Sequence, residues 1–362
     1  MTGDKLIFLA GNRALETIRT QGLAPDDVKV VAGAAGGPKW LILGHLDRVL
    51  FGNWFRGRGK PLFLLGSSIG SWRFAADSCM DPVAAIDRME DAYIHQTYDR
   101  KPTPREISEK SLAIIDHALG AAGPVEVLSH PVHRLSLVAV RSRHLLASRH
   151  RLPIALGLAA AVTANTLTRR SLRWFFQQTL FSDPRTHPSF SAAGRWPGAG
   201  SALSPDNLKQ ALLASGSIPY VMDGVGEIPD APPGIYRDGG AVDYHLDIPF
   251  GLNGSGIVLY PHFSRRIIPG WLDKYLSWRR PSSAHMADVL VVAPSESFVS
   301  SLPNEKITDR KDFYRYAGND KARFACWHQV ANAGKRLADD FMEAVESGSI
   351  RRRVKPLDGN AR

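Results

Sequence analysis

The stretch Leu62-Phe63-Leu64-Leu65-Gly66-Ser67-Ser68-Ile69-Gly70 carries the reading of the fold. Four consecutive apolar residues, bounded by Pro61 and Gly66, predict a strand buried on both faces. Ile69 to Ala76 then has helical spacing. Between them lies the pattern G-x-S-x-G, spelled Gly66-Ser67-Ser68-Ile69-Gly70. A sharp strand-to-helix turn projects its central Ser, the flanking glycines avoid clashes, and the helix N-terminus favours developing negative charge. Ser68 is therefore the candidate nucleophile. The same residues would also make an ordinary Gly/Ser turn, so the neighbouring segments must decide.

Working outward, Val28 to Ala35 is a second apolar run that opens into glycine, and Lys39 to Trp54 follows with helical spacing. Asp81 to Gln96 and Arg105 to Gly120 predict two amphipathic helices. Leu135 to Val140, Ile235 to Arg237, Gly256 to Tyr260 and Val289 to Ala293 predict strands. Pro205 to Ser215 predicts a helix with Ser204 as N-cap, and Lys311 to Ser347 is mostly helical. Strands alternating with helices predict an α/β chain whose parallel or mixed sheet is covered on both faces.

Two further glycine-rich turns stand at strand ends. Gly33-Ala34-Ala35-Gly36-Gly37-Pro38-Lys39 opens a helix, and its backbone N–H groups could converge on a cavity as an oxyanion hole. It matches neither the Walker A spacing nor G-x-G-x-x-G. Asp238-Gly239-Gly240 follows a short strand, where an Asp could reach a Ser hydroxyl, although Asp-Gly is also a common turn dipeptide. A Ser-Asp-His order remains open through His245, His262, His285 or His328, none of which stands in a distinctive pattern. No spacing of acids and histidines suggests a metal site.

Taken in order, these elements resemble the patatin-like phospholipase family of lipid acyl hydrolases. That family has a Gly-Gly-x-Arg/Lys loop, a G-x-S-x-G turn and a distant Asp-Gly-Gly/Ala. Here they are Gly36-Gly37-Pro38-Lys39, Gly66-Ser67-Ser68-Ile69-Gly70 and Asp238-Gly239-Gly240, and Leu212 to Pro219 resembles the family's helix-to-loop stretch. The resemblance implies a three-layer α/β/α fold with a mixed, mostly parallel central sheet. It implies a Ser-Asp dyad with Ser68 as nucleophile and Asp238 as base, and an oxyanion hole from the N–H groups of Gly36, Gly37 and Ile69. Lys39, Gly66, Gly70, Gly239 and Gly240 would support the motifs, and no cofactor or metal is implied. Two departures stand out. Ala34 and Ala35 replace the Asp-Gly that usually begins the family loop, and the bulky Trp40 replaces the Gly after its basic residue.

The 362 residues carry 45 Lys and Arg against 35 Asp and Glu, a net charge of +10. That excess suggests an anionic partner. Much of it is concentrated, because the run from Val127 to Ser182 holds eight arginines and no acid. Inside it Arg169, Arg170, Arg173, Trp174 and Phe175 form a basic aromatic stretch. It suits contact with an anionic lipid surface better than nucleic acid, for which no motif is present. The expected organisation is one catalytic domain over residues 1–350, with an arginine-rich insertion or cap at about 143–203 and a basic flexible tail over 351–362. Pro184 to Ser201 reads as an irregular loop. With only Cys79 and Cys326, neither a disulfide framework nor a structural zinc site is expected. Leu6 to Ala10 is too short for a signal-peptide core, and no apolar run is long enough to span a bilayer. The expected compartment is the cytoplasm, with peripheral contact at a lipid surface. A non-catalytic module that binds anionic lipid is the alternative from another class.

Overall fold

A computed structural model describes residues 4–185, 188–192 and 200–357. Among the described residues, ten strands form one sheet: β1 (Leu6–Ala10), β2 (Val28–Gly33), β3 (Leu62–Ser67), β4 (His133–Ser142), β5 (Phe176–Ser182), β6 (Ser201–Ala202), β7 (Tyr236–Asp238), β8 (Ile257–Pro261), β9 (Val289–Pro294) and β10 (Val354–Pro356). Their spatial order is β10-β1-β9-β8-β2-β3-β4-β5-β6, with β7 also paired to β4. The central neighbours β9, β8, β2, β3 and β4 run parallel. The pairs β1–β9, β4–β5 and β4–β7 are antiparallel. Helices cover both faces, giving the three-layer α/β/α architecture with a mixed, mostly parallel sheet. Buried runs such as Val28, Val30, Val31 and Ala32, or Leu62, Leu64 and Leu65, form the core between the layers.

Register places the motifs. Gly33 at the end of β2 pairs with Gly66 in β3, and Ser67 pairs with Val138 in β4. On the same edge of β4, just beyond the end of β3, Ala139 pairs with Asp238 at the end of β7, while β5 fills the opposite edge. Two segments 170 residues apart thus end on adjacent positions of one strand. Helix Ile69–Asp77 leaves β3 immediately and packs against β2, β3 and β4.

Several expected elements differ from what forms. Lys39 to Trp54 is not one α-helix: a 3₁₀ stretch (Gly37–Leu43), an α-helical turn pair (Gly44–Val49) and a π-helical stretch (Leu50–Trp54) follow one another. The 205–215 helix begins at Leu208 after Asn207, whose Oδ1 accepts the Ser204 N–H, so Ser204 is not its cap. The 143–203 segment is not wholly an insertion, because Phe176–Ser182 is β5, a strand of the central sheet paired along its length with β4. The flexible tail is also corrected. Ile350–Arg353 is helical and Val354–Pro356 is β10, held parallel to β1 and anchored by buried Ile350 and Val354. Residues 358–362, and within the 184–201 loop residues 186–187 and 193–199, lie outside the described residues. No single helix among the described residues is long and apolar enough to cross a membrane.

Candidate active site

Ser68 sits on the turn between β3 and its helix with φ 56° and ψ −127°. That backbone conformation costs a non-glycine residue about 1–3 kcal/mol, so the surroundings must enforce it. The enforcement comes from close packing on both sides. A Cβ on Gly66 would stand 2.5 Å from the Ser71 backbone, and one on Gly70 would stand 2.2 Å from the Gly33 carbonyl oxygen. The turn can close against β2 only because both positions lack a side chain. The Ser68 N–H donates to Ser215 Oγ at 2.9 Å. Ser215 Oγ in turn donates to the Val138 carbonyl at 2.7 Å and lies 2.9 Å from Ser71 Oγ. Ser215 therefore ties the turn to β4 and to helix Leu208–Gly216.

Ser68 Oγ donates to Asp238 Oδ2 at 2.9 Å, and both residues are buried. The other carboxylate oxygen, Oδ1, accepts the Gly240 N–H at 2.7 Å, while the Asp238 N–H donates to the Ser217 carbonyl. Asp238 is thus fixed at both carboxylate oxygens and at its main-chain N–H. Burial pushes its pKa up to about 6; the Gly240 N–H, the Ser68 hydroxyl and the Arg310 guanidinium oppose that rise. Gly239 packs against the Val138 carbonyl and Ser67 Oγ, which leaves no room for a Cβ.

A cavity of about 40 Å³ opens over the pair. Its walls include Gly36, Gly37, Tyr244, Trp271 and Arg310. That volume holds a water molecule or two. Gly37 has φ 56° and begins the 3₁₀ stretch, and Gly36 and Gly37, having no side chains, meet the cavity through backbone alone, beside Ala35. Pro38, the next residue, has no N–H to offer. Ile69 is the first residue of its helix, and its N–H has no acceptor within that helix. Gly36 and Gly37 line the same cavity as Ser68, and Ile69 follows Ser68 directly in the chain.

Lys39 does not join them. Its Nζ lies 4.7 Å from the centre of the Phe263 ring and lines a different, larger cavity beside Lys306. Burial, with Lys274 nearby, lowers its pKa to about 8. The four histidines are also elsewhere. His245 Nδ1 accepts the Ile268 N–H, His262 Nδ1 accepts the Ser264 N–H, His285 Nδ1 is 2.8 Å from Asp247, and His328 faces His95. Burial keeps His245 and His262 neutral, the latter with a pKa lowered to about 3. Among the described residues, no histidine hydrogen-bonds to Ser68 or Asp238. No group of three or more His, Cys, Asp or Glu among them could hold a metal ion.

Of the basic aromatic stretch, Arg169 is internal: its guanidinium donates to Asp273 and to the Val242 carbonyl. Phe175 packs against a small cluster formed by Val140, Leu146, Leu172 and Phe176. Neither is free for a surface. Arg170, Arg173 and Trp174 are exposed. The sequence reading missed Arg310 and Trp271, whose loops carry no local signal. It passed over Ser215 inside the Leu212–Pro219 stretch.

No protein-family model matches the chain, and no curated protein matches its sequence. Among solved structures the chain is similar to the crystal structure of VipD from Legionella pneumophila, with 11% sequence identity and a TM-score of 0.38 over 89% of this chain and 67% of that one.

Proposed function

We propose that this chain is a patatin-like serine hydrolase that cleaves acyl esters of lipids, of the phospholipase A or lipid acyl hydrolase type. The observation that carries the reading is the 2.9 Å hydrogen bond from Ser68 Oγ to a buried Asp238 with no histidine between them. The ordered G-x-S-x-G, Gly-Gly and Asp-Gly-Gly turns around one cavity support it.

Ser68 Oγ attacks the ester carbonyl carbon as Asp238 takes its proton. The resulting oxyanion is met by the N–H groups of Gly36, Gly37 and Ile69. One such preorganised donor is worth about 3 kcal/mol of barrier. Collapse breaks the bond to the alcohol, which leaves with the proton from Asp238, and an acyl-Ser68 ester remains. Water then attacks that ester, with Asp238 again taking a proton; collapse breaks the bond to Ser68 Oγ, which takes that proton back from Asp238, and the carboxylic acid departs. Arg310, at the cavity wall, favours the ionised form of Asp238 that both steps require.

The test is hydrolysis of nitrophenyl esters of increasing chain length beside phospholipids. Ser68→Ala is expected to lose roughly 10⁴-fold in activity. Asp238→Ala is expected to lose about 10³-fold, while His245, His262, His285 and His328 variants that fold keep theirs. A fluorophosphonate probe that still labels Ser68→Ala would overturn the assignment, and loss of activity at one histidine would favour a triad.

A further inference from the structure

Helix Arg151–Leu167 is apolar on two opposite faces. Ile154, Gly157, Ala161 and Asn165 face inward, where the apolar members pack with Val140, Leu146, Leu172 and Phe176. By helical spacing, Leu152, Leu156, Ala159, Ala160, Thr163 and Leu167 share the outward arc, and all six are exposed. Leu167 is 84% exposed and Leu152 70%. Not one residue from Leu152 to Leu167 is charged. A helix at a protein–water boundary normally carries polar residues on its outer face, and one that is apolar all round is normally covered.

The surroundings say what covers it. Exposed Arg149 and Arg151 stand at one end of the helix, and exposed Arg170 and Arg173 follow the other. Among the described residues, neither the Arg170 nor the Arg173 side chain is ion-paired. Trp174 is 60% exposed beneath Arg173. Exposed Tyr275 and Trp278 belong to the segment that Arg279 fastens to the Asn165 carbonyl at 2.6 Å. An apolar stripe between basic ends, with aromatic rings at its margin, matches a bilayer interface: leucines among acyl chains, indoles and guanidinium groups at the headgroups. A second copy of the chain fits less well. The run from Val127 to Ser182 has no carboxylate to meet the facing arginines, and like charges across an interface oppose association.

We infer that helix Arg151–Leu167 lies flat on an anionic lipid surface, its leucine face inserted and Arg170, Arg173 and Trp174 at the headgroups. At about 1.5 Å per residue the helix is about 25 Å long, which suits lying in the interface. Its inner face packs on Ala241 and Val242, three and four residues after Asp238. The Trp271–Asp273 turn, whose Trp271 lines the Ser68 cavity, also touches it. Docking would therefore bring the cavity to the lipid surface. This goes beyond the hydrolase reading and does not depend on it, because binding is measured without turnover.

The experiment is co-sedimentation of the full chain with phosphatidylcholine vesicles and with phosphatidylcholine–phosphatidylglycerol vesicles. The expected result is partition to the anionic vesicles, falling with added salt, and little to the neutral ones. Arg170→Gln with Arg173→Gln should weaken partition about 25-fold, at about fivefold per arginine. Leu156→Asp with Leu167→Asp should abolish it, with the melting temperature as a check on folding. If that pair fails to fold, the arginine pair decides. Equal binding to both vesicles, no binding to either, or variants that bind like the parent would each overturn the inference. So would a solution dimer that Leu156→Asp splits, which would make the face a contact between copies. Ser68→Ala should bind vesicles like the parent, so failure of the dyad and failure of docking are read separately.

Discussion

Burial raises the Asp238 carboxyl to about 6, so the folded protein holds this proton more tightly than the unfolded chain, where the ordinary value is 3.8. The sign for stability follows. The contribution of this group is fully present below the unfolded value and is lost as the pH rises through about 6. Above that range, keeping the carboxylate buried and ionised costs up to about 3 kcal/mol. Asp238→Asn can keep both contacts, its Oδ1 accepting from Gly240 and its Nδ2 donating to Ser68. It is therefore expected to inactivate the protein yet raise its melting temperature above pH 6, with the gain shrinking in acid. Calorimetry across pH checks this, and a variant less stable than the parent at neutral pH would contradict it. The sign for catalysis is the reverse, because a base must be ionised. Activity on a short-chain ester should fall below about pH 6. Arg310 favours that ionised form, so Arg310→Gln should move the acidic limb of the kcat/KM profile to higher pH. Added salt should shrink the difference between the two profiles, since the guanidinium is exposed.

At the scale of elements, the strand–turn–helix from Leu62 to Asp77 depends on contact between the backbones of Gly70 and Gly33. Gly70→Ala must push the helix off β2. Forcing one extra methyl into packing this close costs about 1–3 kcal/mol. Because the displaced turn carries Ser68, activity should fall further than the stability loss explains, and denaturant melts beside ester kinetics test that. This element was legible in the sequence because its signals are local: an apolar run, two glycines and a helical repeat. Asp238 was legible for the same reason, as the residue before two glycines. Ser215 and Arg310 were not, since a hydroxyl that braces a turn 147 residues away, or a loop arginine at a cavity wall, has no local pattern. β5 was hidden by its composition. Gln177, Gln178 and Thr179 interrupt the apolar run, as a strand near the sheet edge allows, and the preceding arginines form a 3₁₀ turn that reads as helix.

Over the whole molecule, the +10 charge was legible as a number but not as a surface, because some arginines are used inside. Arg73 is buried in a pair with Asp47, and Arg237 is buried against the Leu146, Met222 and Ser148 carbonyls. The C-terminal Arg351-Arg352-Arg353 run shows the same conversion. Arg353 donates twice to Asp340, and Asp340 Oδ2 also accepts the N–H groups of Lys5 and Leu6. One carboxylate thus clamps the end of the chain to its first strand. Beyond the clamp, β10 pairs with Phe8, Leu9 and Ala10, and the Leu357 N–H donates to the Ala10 carbonyl. Deleting residues 354–362 would strip β1 of its edge partner and remove buried Val354. Losing that one side chain from the core is worth about 1.5–3 kcal/mol before any ladder hydrogen bond is counted. The truncated chain is therefore expected to melt several degrees below the parent and to expose β1 as an unpaired edge prone to association. A loose tail would predict no change in either, so a melting curve and a light-scattering trace on the truncated protein distinguish the two descriptions of the C-terminus.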